Sequence, residues 1–341
     1  MNPLLALFAA CYRFAATARS AAYRHGWLRS RQLSRPVISI GNLTIGGTGK
    51  TPLVALVARL LADRGWRPVI LTRGYGRRRG LSLTVAPAGG SRAARERAGD
   101  EPCLLAARLP GVPVVVCADR YRAGRFAEER FNPGVHLLDD GFQHLQLRRQ
   151  MDIVALDATC ELSDRALLPA GRMREPLAAL KRAHLIVITR AELAGAAALE
   201  KLARQVNPEA RIFHARTRLS GLRELRRGSI VPPEALRGKR IFTFCGIGNP
   251  KAFFLDLGRW GMTVAGRQAF RDHHVYRPRE LAALARRAAA AGASALVVTE
   301  KDAMNLPESW TPPLDAFACI VDAEVGEGAA FEAELLRLLP R

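Results

Sequence analysis

The chain contains 341 residues, has a formal net charge of +21 and is 49% hydrophobic. This length is enough for two domains, and the apolar content excludes a disordered chain. Six scattered cysteines without a C-x-x-C pair are typical of core residues in a reducing compartment, not of a disulfide framework or a zinc site. The charge is compatible with nucleic acid, an anionic membrane or a phosphorylated substrate. Because only 6% of the residues are aromatic and no stacking motif is present, we expect no nucleic-acid partner.

The chain begins with a predicted basic amphipathic helix over about residues 1–30. Residues 1–62 contain no acidic side chain but several arginines. The uninterrupted apolar part runs only from Pro3 to Tyr12, far short of the roughly 20 residues needed to cross a bilayer. The helix either packs on the body of the protein or lies in the interface of an anionic leaflet.

A glycine-rich turn follows a short apolar run in the segment 37–52, VISIGNLTIGGTGKTP. The predicted order of strand, loop and helix is that of a P-loop, whose backbone N–H groups and helix N-terminus cradle phosphates. Thr44 replaces the first glycine of the strict G-x-x-x-x-G-K-[ST] pattern, but the context supports the motif. We predict that Lys50 reaches the β- and γ-phosphates and that Thr51 holds Mg²⁺. The predicted ATP-binding residues are Thr44, Ile45, Gly46, Gly47, Thr48, Gly49, Lys50 and Thr51.

Short runs rich in β-branched residues alternate with helix-like stretches along the rest of the chain. They begin at Val69, Val112, Val135, Ile153, Leu185, Ile241, Ala295 and Ala318. This alternation predicts an α/β fold: a P-loop NTPase-like, mostly parallel sheet with helices on both faces, plus a second, smaller α/β domain. Charge, glycine and a proline pair interrupt the pattern at 216–238. We interpret this stretch as a linker between a P-loop domain at 1–215 and a second domain at 239–341 that closes a cleft.

Polar residues near the ends of these elements are the candidates for chemistry, because ligands bind at the carboxyl ends of strands in such folds. Asp139 and Asp140 end an apolar run, as expected for the second protein contact to Mg²⁺ beside a P-loop. Asp100 is either a helix N-cap or a general base. His273 and His274 belong either to a solvated turn or to a cleft in which a histidine orients a carboxylate base.

The segment Thr299–Asp302 comes within one residue of the [NT]-K-x-D pattern that reads guanine in GTPases. Its role stays unassigned on sequence alone. An alternative function is therefore a P-loop GTPase or ATPase that drives a partner protein.

Taken in order, the motifs resemble those of the tetraacyldisaccharide 4′-kinase family over essentially the whole chain. Several blocks in one order are far more specific than a P-loop alone. The blocks are SIGNLTIGGTGKTP from Ser39, TRGYG from Thr72, GDEP from Gly99, LDDGFQH from Leu138, LPAGRMREPL from Leu168, FTFCGIGNP from Phe242, DHH from Asp272 and TEKD from Thr299.

The resemblance implies that MgATP phosphorylates the 4′ hydroxyl of an acylated glucosamine disaccharide 1-phosphate in lipid A biosynthesis. It implies that Asp100 is the base and that His273 or His274 is its partner. Family positions at the phosphates and metal fall on Lys50, Thr51, Asp139 and Asp140, and those around the cleft on Arg73, Tyr75, Glu101, Arg174 and Glu175.

The same resemblance implies where the protein works. A substrate whose acyl chains stay in the bilayer favours the interfacial reading of the N-terminal helix. We therefore expect a peripheral protein at the cytoplasmic face of the bacterial inner membrane. No obligate protein partner is evident from the sequence.

Overall fold

The computed structural model describes residues 3–75, 77, 83–88, 91–160, 166–193 and 195–339. Gly76, the last residue of the TRGYG block, lies outside them. The helices are α1 (Pro3–Arg24), α2 (Lys50–Asp63), α3 (Arg92–Ala98), α4 (Asp100–Arg108), α5 (Arg120–Phe131), α6 (Ala196–Val206), α7 (Pro250–Arg259), α8 (Pro278–Ala290), α9 (Glu300–Met304) and α10 (Gly328–Arg337). Two 3₁₀ helices cover Leu177–Arg182 and Pro233–Leu236.

The described strands join into one continuous sheet. They are β1 (Val37–Asn42), β2 (Pro68–Thr72), β3 (Leu83–Val85), β4 (Val114–Cys117), β5 (Val135–Asp139), β6 (Met151–Asp157), β7 (Leu185–Thr189), β8 (Arg211–Glu224), β9 (Ile230–Val231), β10 (Arg240–Cys245), β11 (Thr263–Ala269), β12 (Ala295–Thr299) and β13 (Asp315–Val325). The spatial order is β11, β10, β12, β13, β8, β7, β6, β1, β5, β2, β4, β3, with β9 on β8. Among the described strands, the β3–β4, β8–β9 and β8–β13 pairs are antiparallel and the other pairs are parallel.

The part of the sheet around β1 is covered on both faces. Every residue of β1, β2, β4, β5, β6 and β7 is buried. Along β6 the side chains alternate: Ile153 belongs to the same core cluster as Leu53 of α2, while Val154 belongs to the same core cluster as Leu199 of α6. Because successive strand side chains point to opposite faces, these helices lie on opposite sides of the sheet. The predicted doubly covered, mostly parallel α/β architecture is confirmed.

The part of the sheet built from β10 to β13 repeats this arrangement on a smaller scale. Val297 of β12 belongs to the same core cluster as Phe253 of α7, and the next residue, Val298, belongs to the same core cluster as Leu281 of α8. Helices therefore cover both faces here too, as predicted for the second α/β unit.

The prediction of a linker at 216–238 is wrong for the first nine residues of the stretch. Residues up to Glu224 continue β8, which pairs with β7 on one side and with β13 on the other. Exposed arginines of this strand pair with acidic residues of the neighbouring β13, since Arg216 Nη2 lies 2.7 Å from Glu324 Oε1. The charges that resemble a linker are thus the exposed side chains of a half-buried strand.

Near the C-terminus, the chain returns from the second part of the sheet to the first. Phe331 of α10 packs edge-on against Phe213 of β8, with ring centroids 5.2 Å apart, in the core that contains Leu53 of α2. Helix α10 therefore covers the first part of the sheet, although it lies inside the predicted second domain at 239–341.

Candidate active site

The loop between β1 and α2 forms the predicted glycine turn. Gly46 and Gly49 have φ angles of 108° and 73°, which residues with side chains rarely adopt. The Asn42 side-chain amide at the end of β1 donates to Thr48 Oγ1 at 2.9 Å. From the neighbouring β7, Thr189 Oγ1 donates to the Thr48 carbonyl at 2.9 Å. The loop is thus fixed from both sides at the N-terminus of α2, where an anion binds favourably.

Lys50, the first residue of α2, lies beside Asp140. Its Nζ donates to Asp140 Oδ1 at 2.6 Å and to Asn42 Oδ1 at 2.9 Å. Arg174 Nη1 donates to the other oxygen of Asp140 at 2.6 Å. Burial alone would raise the pKa of Asp140, but the Lys50 and Arg174 cations lower it well below its usual range. Asp140 is therefore a charged carboxylate that holds both cations at the loop.

Asp139, at the end of β5, has the opposite electrostatic environment. It is buried and accepts a hydrogen bond from Thr72 Oγ1 at 2.9 Å. Burial, with the nearby carboxylates of Glu101 and Asp140, raises the pKa of Asp139 to about 6. A bound cation would offset this cost. Thr51 lines the same cavity, so residues that carry the hard oxygen donors suited to Mg²⁺ are present.

Protein ligands alone do not complete a metal shell here. Within the part of the chain that the structure describes, no group of three or more His, Cys, Asp and Glu side chains is arranged to hold a metal ion. A cation at Asp139 would take its remaining ligands from phosphate oxygens and water, which is usual for Mg²⁺.

Asp100 and His273 are far apart in sequence and adjacent in space. His273 Nδ1 lies 2.9 Å from Asp100 Oδ2. Asn305 Nδ2 donates to the same oxygen at 3.3 Å, and the Glu101 backbone N–H donates to Oδ1 at 2.9 Å. The N-cap of α4 is Gly99, so the alternative in which Asp100 caps this helix is wrong. Asp100 is only 7% exposed and lies behind His273, which lines the cavity.

The contact shifts the pKa of both groups. Burial raises the pKa of Asp100, but the hydrogen bond and charge of His273 lower it overall. Burial lowers the pKa of His273, but the hydrogen bond to Asp100 raises it overall. The pair therefore favours an ionised Asp100 that holds a proton on Nδ1 of His273.

His274 lies elsewhere, although it is the next residue in the chain. Its Nε2 lies 3.1 Å from Glu280 Oε2, and its ring stacks on Phe270 with centroids 4.5 Å apart. The structure thus brings His273, and not His274, to Asp100.

The guanine-like segment Thr299–Asp302 is engaged within the protein. Asp302, which is 1% exposed, accepts hydrogen bonds from the Gly246 N–H at 2.6 Å and from Tyr276 OH at 2.8 Å. Lys301 lies 3.1 Å from both Glu101 Oε1 and His273 Nε2. Neither side chain is presented for reading guanine.

One cavity of about 1230 Å³ joins these groups. Residues 45–51 of the loop line it together with Asp139, Asp140 and His273, whereas Thr44 does not and instead bridges to Met173. The predicted cleft residues that line it are Arg73, Tyr75, Glu101, Arg174 and Glu175. Among these, Glu175 is buried and pairs with Arg182 at 2.9 Å, so it supports the wall.

Sequence reasoning missed several residues that hold the glycine loop. Arg190 Nη1 donates to the Gly47 carbonyl at 2.9 Å and to Asp157 Oδ2 at 2.5 Å. Asn249, the N-cap of α7, donates to the same Asp157 oxygen at 3.2 Å. Arg190 directly follows β7, so the rule that ligands bind at strand ends could have identified it.

Comparisons with known proteins identify the family. A profile described as tetraacyldisaccharide-1-P 4′-kinase matches residues 1–340. The chain belongs to this family. Proteins named tetraacyldisaccharide 4′-kinase from Geobacter metallireducens and Geobacter sulfurreducens are 45% and 40% identical to it. These alignments cover 89% of this chain and 88% of the first protein, and 99% of this chain and 94% of the second.

A solved structure in the same family shares the fold. It is an "apo" form of LpxK from Aquifex aeolicus in complex with ATP, with a TM-score of 0.79 and 31% sequence identity. The match covers 99% of each chain. In the part of our own chain that the structure describes, no helix is long and apolar enough to cross a membrane.

Proposed function

We propose that the cavity between the glycine loop and the Asp100–His273 pair is the active site of this kinase. The protein uses ATP to phosphorylate the 4′ hydroxyl of an acylated disaccharide 1-phosphate in lipid A biosynthesis. One observation supports the placement: a phosphate-binding lysine, Lys50, and a group able to accept a proton, His273, line the same cavity.

The glycine loop holds the triphosphate in this proposal. The N–H groups of residues 46–51 and the N-terminus of α2 bind the β- and γ-phosphates. Lys50 exchanges its contact with Asp140 for the phosphates, and Arg174 stays close enough to stabilise negative charge. Positioning and charge neutralisation supply most of the rate in phosphoryl transfer.

Asp139, Asp140 and Thr51 would hold Mg²⁺. Bound there, the ion would neutralise phosphate charge and hold the triphosphate in a reactive geometry. The buried Asp139, whose pKa burial raises to about 6, is the carboxylate that gains most from a cation. Asp140 keeps Lys50 and Arg174 at the same edge of the sheet.

The geometry favours His273 as the group that takes the proton from the sugar hydroxyl. The family resemblance places the base at Asp100, but both Asp100 oxygens are engaged and the residue lies behind His273. In the proposed step His273 Nε2 accepts the proton while Asp100 stabilises the imidazolium through Nδ1–H. Arg73 and Tyr75, exposed on the cavity wall, are placed to contact the disaccharide.

The glycine turn before α7 closes over the glycine loop. A Cβ added to Gly248 would lie 2.5 Å from the Gly47 nitrogen and 2.7 Å from Gly46 Cα. The backbone of the second α/β unit therefore lies directly against the backbone of the loop. We propose that this contact keeps the cleft closed while ATP is bound.

Gly248→Ala tests this closure. The added methyl group cannot fit beside the loop, so we expect the KM for ATP to rise about tenfold, in line with an overpacking cost of roughly 1–3 kcal/mol. Steady-state kinetics with varied ATP measure the effect. Gly258→Ala is the matched control, because a Cβ there has no heavy atom within 4 Å. An unchanged KM in Gly248→Ala would contradict the proposed closure.

Helix α1 is proposed to lie in the cytoplasmic leaflet of the inner membrane. Its C-terminal half is tied to the body of the protein, since Arg19 donates to the Gln143 carbonyl at 3.2 Å. The helix also exposes large apolar side chains, with Leu7, Phe8 and Phe14 exposed by 60%, 59% and 77%. An acylated substrate held in the same leaflet would enter the cavity beside Tyr12, which lines it.

The double substitution Leu7→Ser and Phe8→Ser tests membrane binding. Each apolar side chain contributes roughly 1.5–3 kcal/mol when fully buried, so we expect at least about tenfold weaker binding to anionic phospholipid vesicles. Vesicle co-sedimentation measures it. Leu255→Ser, an equally apolar change at a 51% exposed position on α7, should have no effect. Equal binding by the double variant and the native protein would contradict the leaflet location.

Transfer of label from γ-labelled ATP to the acylated disaccharide 1-phosphate in detergent tests the proposed function. We expect labelled lipid that depends on enzyme, acceptor and Mg²⁺. The GTPase alternative predicts instead that GTP is hydrolysed without a lipid acceptor. Nucleotide hydrolysis without any labelled lipid would contradict the kinase assignment.

A further inference from the structure

Lys301 lies beside the proposed base, His273, and has no role in the proposed proton transfer as described so far. It lies in α9, directly after β12, and its side chain is only 14% exposed. Its Nζ lies 3.1 Å from His273 Nε2, the ring nitrogen on the side away from Asp100. We propose that Lys301 is a positioning residue that keeps this nitrogen unprotonated and aims it into the cavity. The inference rests on the proposed function, because it concerns the base of that reaction.

Hydrogen-bond chemistry fixes the direction of this contact. An ammonium group has three donors and no acceptor. His273 Nε2 must therefore act as the acceptor, and the ring proton must lie on Nδ1, where it is donated to Asp100. A doubly protonated ring would place an N–H group against the ammonium. Lys301 thus selects the tautomer that a base facing the cavity requires.

The groups around His273 act on its pKa in opposite directions. Asp100 of α4 and Asp272 of the same turn raise it, whereas burial and the Lys301 ammonium lower it. Tyr75 adds a ring contact at 5.1 Å between centroids. A histidine paired only with carboxylates would stay protonated and could not accept a proton. The pKa of His273 is raised overall, and Lys301 offsets part of this rise, so the base becomes free at a lower pH than it would without the ammonium.

The ammonium is itself held by two carboxylates. Glu101 Oε1 lies 3.1 Å and Asp272 Oδ1 3.0 Å from Nζ. With His273 Nε2 these acceptors match the three donors of the ammonium. Glu101 belongs to α4 in the first part of the chain, whereas Lys301 belongs to α9 in the second part. The contact between the two parts therefore positions the Lys301 ammonium. When the sugar hydroxyl takes over Nε2, the two carboxylates keep Lys301 in place.

The pH dependence of kcat in Lys301→Met tests the proposal. Without the cation, the pKa of His273 should rise further, so the acidic limb of the kcat profile moves to higher pH. At pH 6 we expect kcat to fall about tenfold relative to the native enzyme, and above pH 9 to stay within about twofold. The KM for ATP should not change. Lys301→Arg keeps the charge and should restore most of the native profile.

The same series distinguishes the possible failures. Lys239→Met, at an exposed lysine paired with Asp315, should leave the profile unchanged. A loss of kcat in Lys301→Met by the same factor at every pH, or an unmoved acidic limb, would overturn the inference and leave a purely structural lysine. Histidine ¹⁵N chemical shifts read the tautomer directly, and Nε2–H in the native protein at pH 8 would also overturn it. If the native enzyme transfers no phosphate to the lipid, the proposed function itself fails.

Discussion

Lys50→Met should lower kcat for phosphoryl transfer by at least about 10³-fold. Lys50 lies at the start of α2 and on the cavity wall, where Asp140 and Asn42 hold it. There it is placed to neutralise charge that develops on the γ-phosphate. A preorganised cation in a partly buried site typically contributes several kcal/mol to the barrier. Single-turnover transfer to the lipid acceptor measures the loss without interference from product release.

Two controls define this result. Lys251→Met removes an exposed lysine on α7 and should leave kcat unchanged. Lys50→Arg keeps the charge but not the compact ammonium, so it should recover only part of the activity. If Lys50→Met retained kcat within about tenfold of the native enzyme, the placement of the triphosphate on this loop would be wrong.

Asp100→Asn and His273→Gln should each lower kcat by roughly 10²–10⁴-fold while sparing the KM for ATP. General base catalysis contributes about this much. Because the two residues act as one unit through the 2.9 Å contact, the double variant should be little worse than either single variant. Steady-state kinetics with both substrates, and a double-mutant cycle, measure both effects.

The neighbouring histidine provides the matched control. His274 contacts Glu280 and stacks on Phe270, away from the cavity base. His274→Gln should therefore keep at least about ten times more activity than His273→Gln, because it removes no proton acceptor. Equal losses in the two variants, or additive losses in the double variant of Asp100 and His273, would contradict the proposed pair.

The part of the site that could be predicted from the sequence lies in short segments with a recognisable local pattern. The glycine loop, Lys50 and the Asp139–Asp140 pair lie in short segments whose strand–loop–helix pattern is readable from adjacent residues. The rule that ligands gather at strand ends then places them together, since β5 is the direct neighbour of β1. These predictions needed no long-range information.

The Asp100–His273 pair needed more than local pattern. The residues lie 173 positions apart, and nothing in the sequence distinguishes His273 from His274. The left-handed backbone of His273, with a φ of 58°, turns it toward Asp100. Side-chain direction of this kind depends on tertiary packing.

The charge pattern of the sequence led to no correct prediction for β8 or for Lys301. The second half of β8 is interpreted as a linker from the sequence because of its charged arginines. These arginines alternate along the exposed side of the strand, and period-two alternation is typical of a half-buried strand. In the sequence, Lys301 is part of an incomplete guanine-binding motif. Its contacts with Glu101 of α4 and with Asp272 in the turn after β11 form only in the folded protein. In both places the deciding partner is remote in sequence.

A crystal structure with a non-hydrolysable ATP analogue, Mg²⁺ and the acylated disaccharide 1-phosphate tests the central claim most directly. We expect the triphosphate on residues 46–51 and the 4′ oxygen about 3 Å from His273 Nε2, in line with the γ-phosphate. A triphosphate bound away from that loop, or a 4′ oxygen out of reach of His273 in the closed complex, would contradict the account.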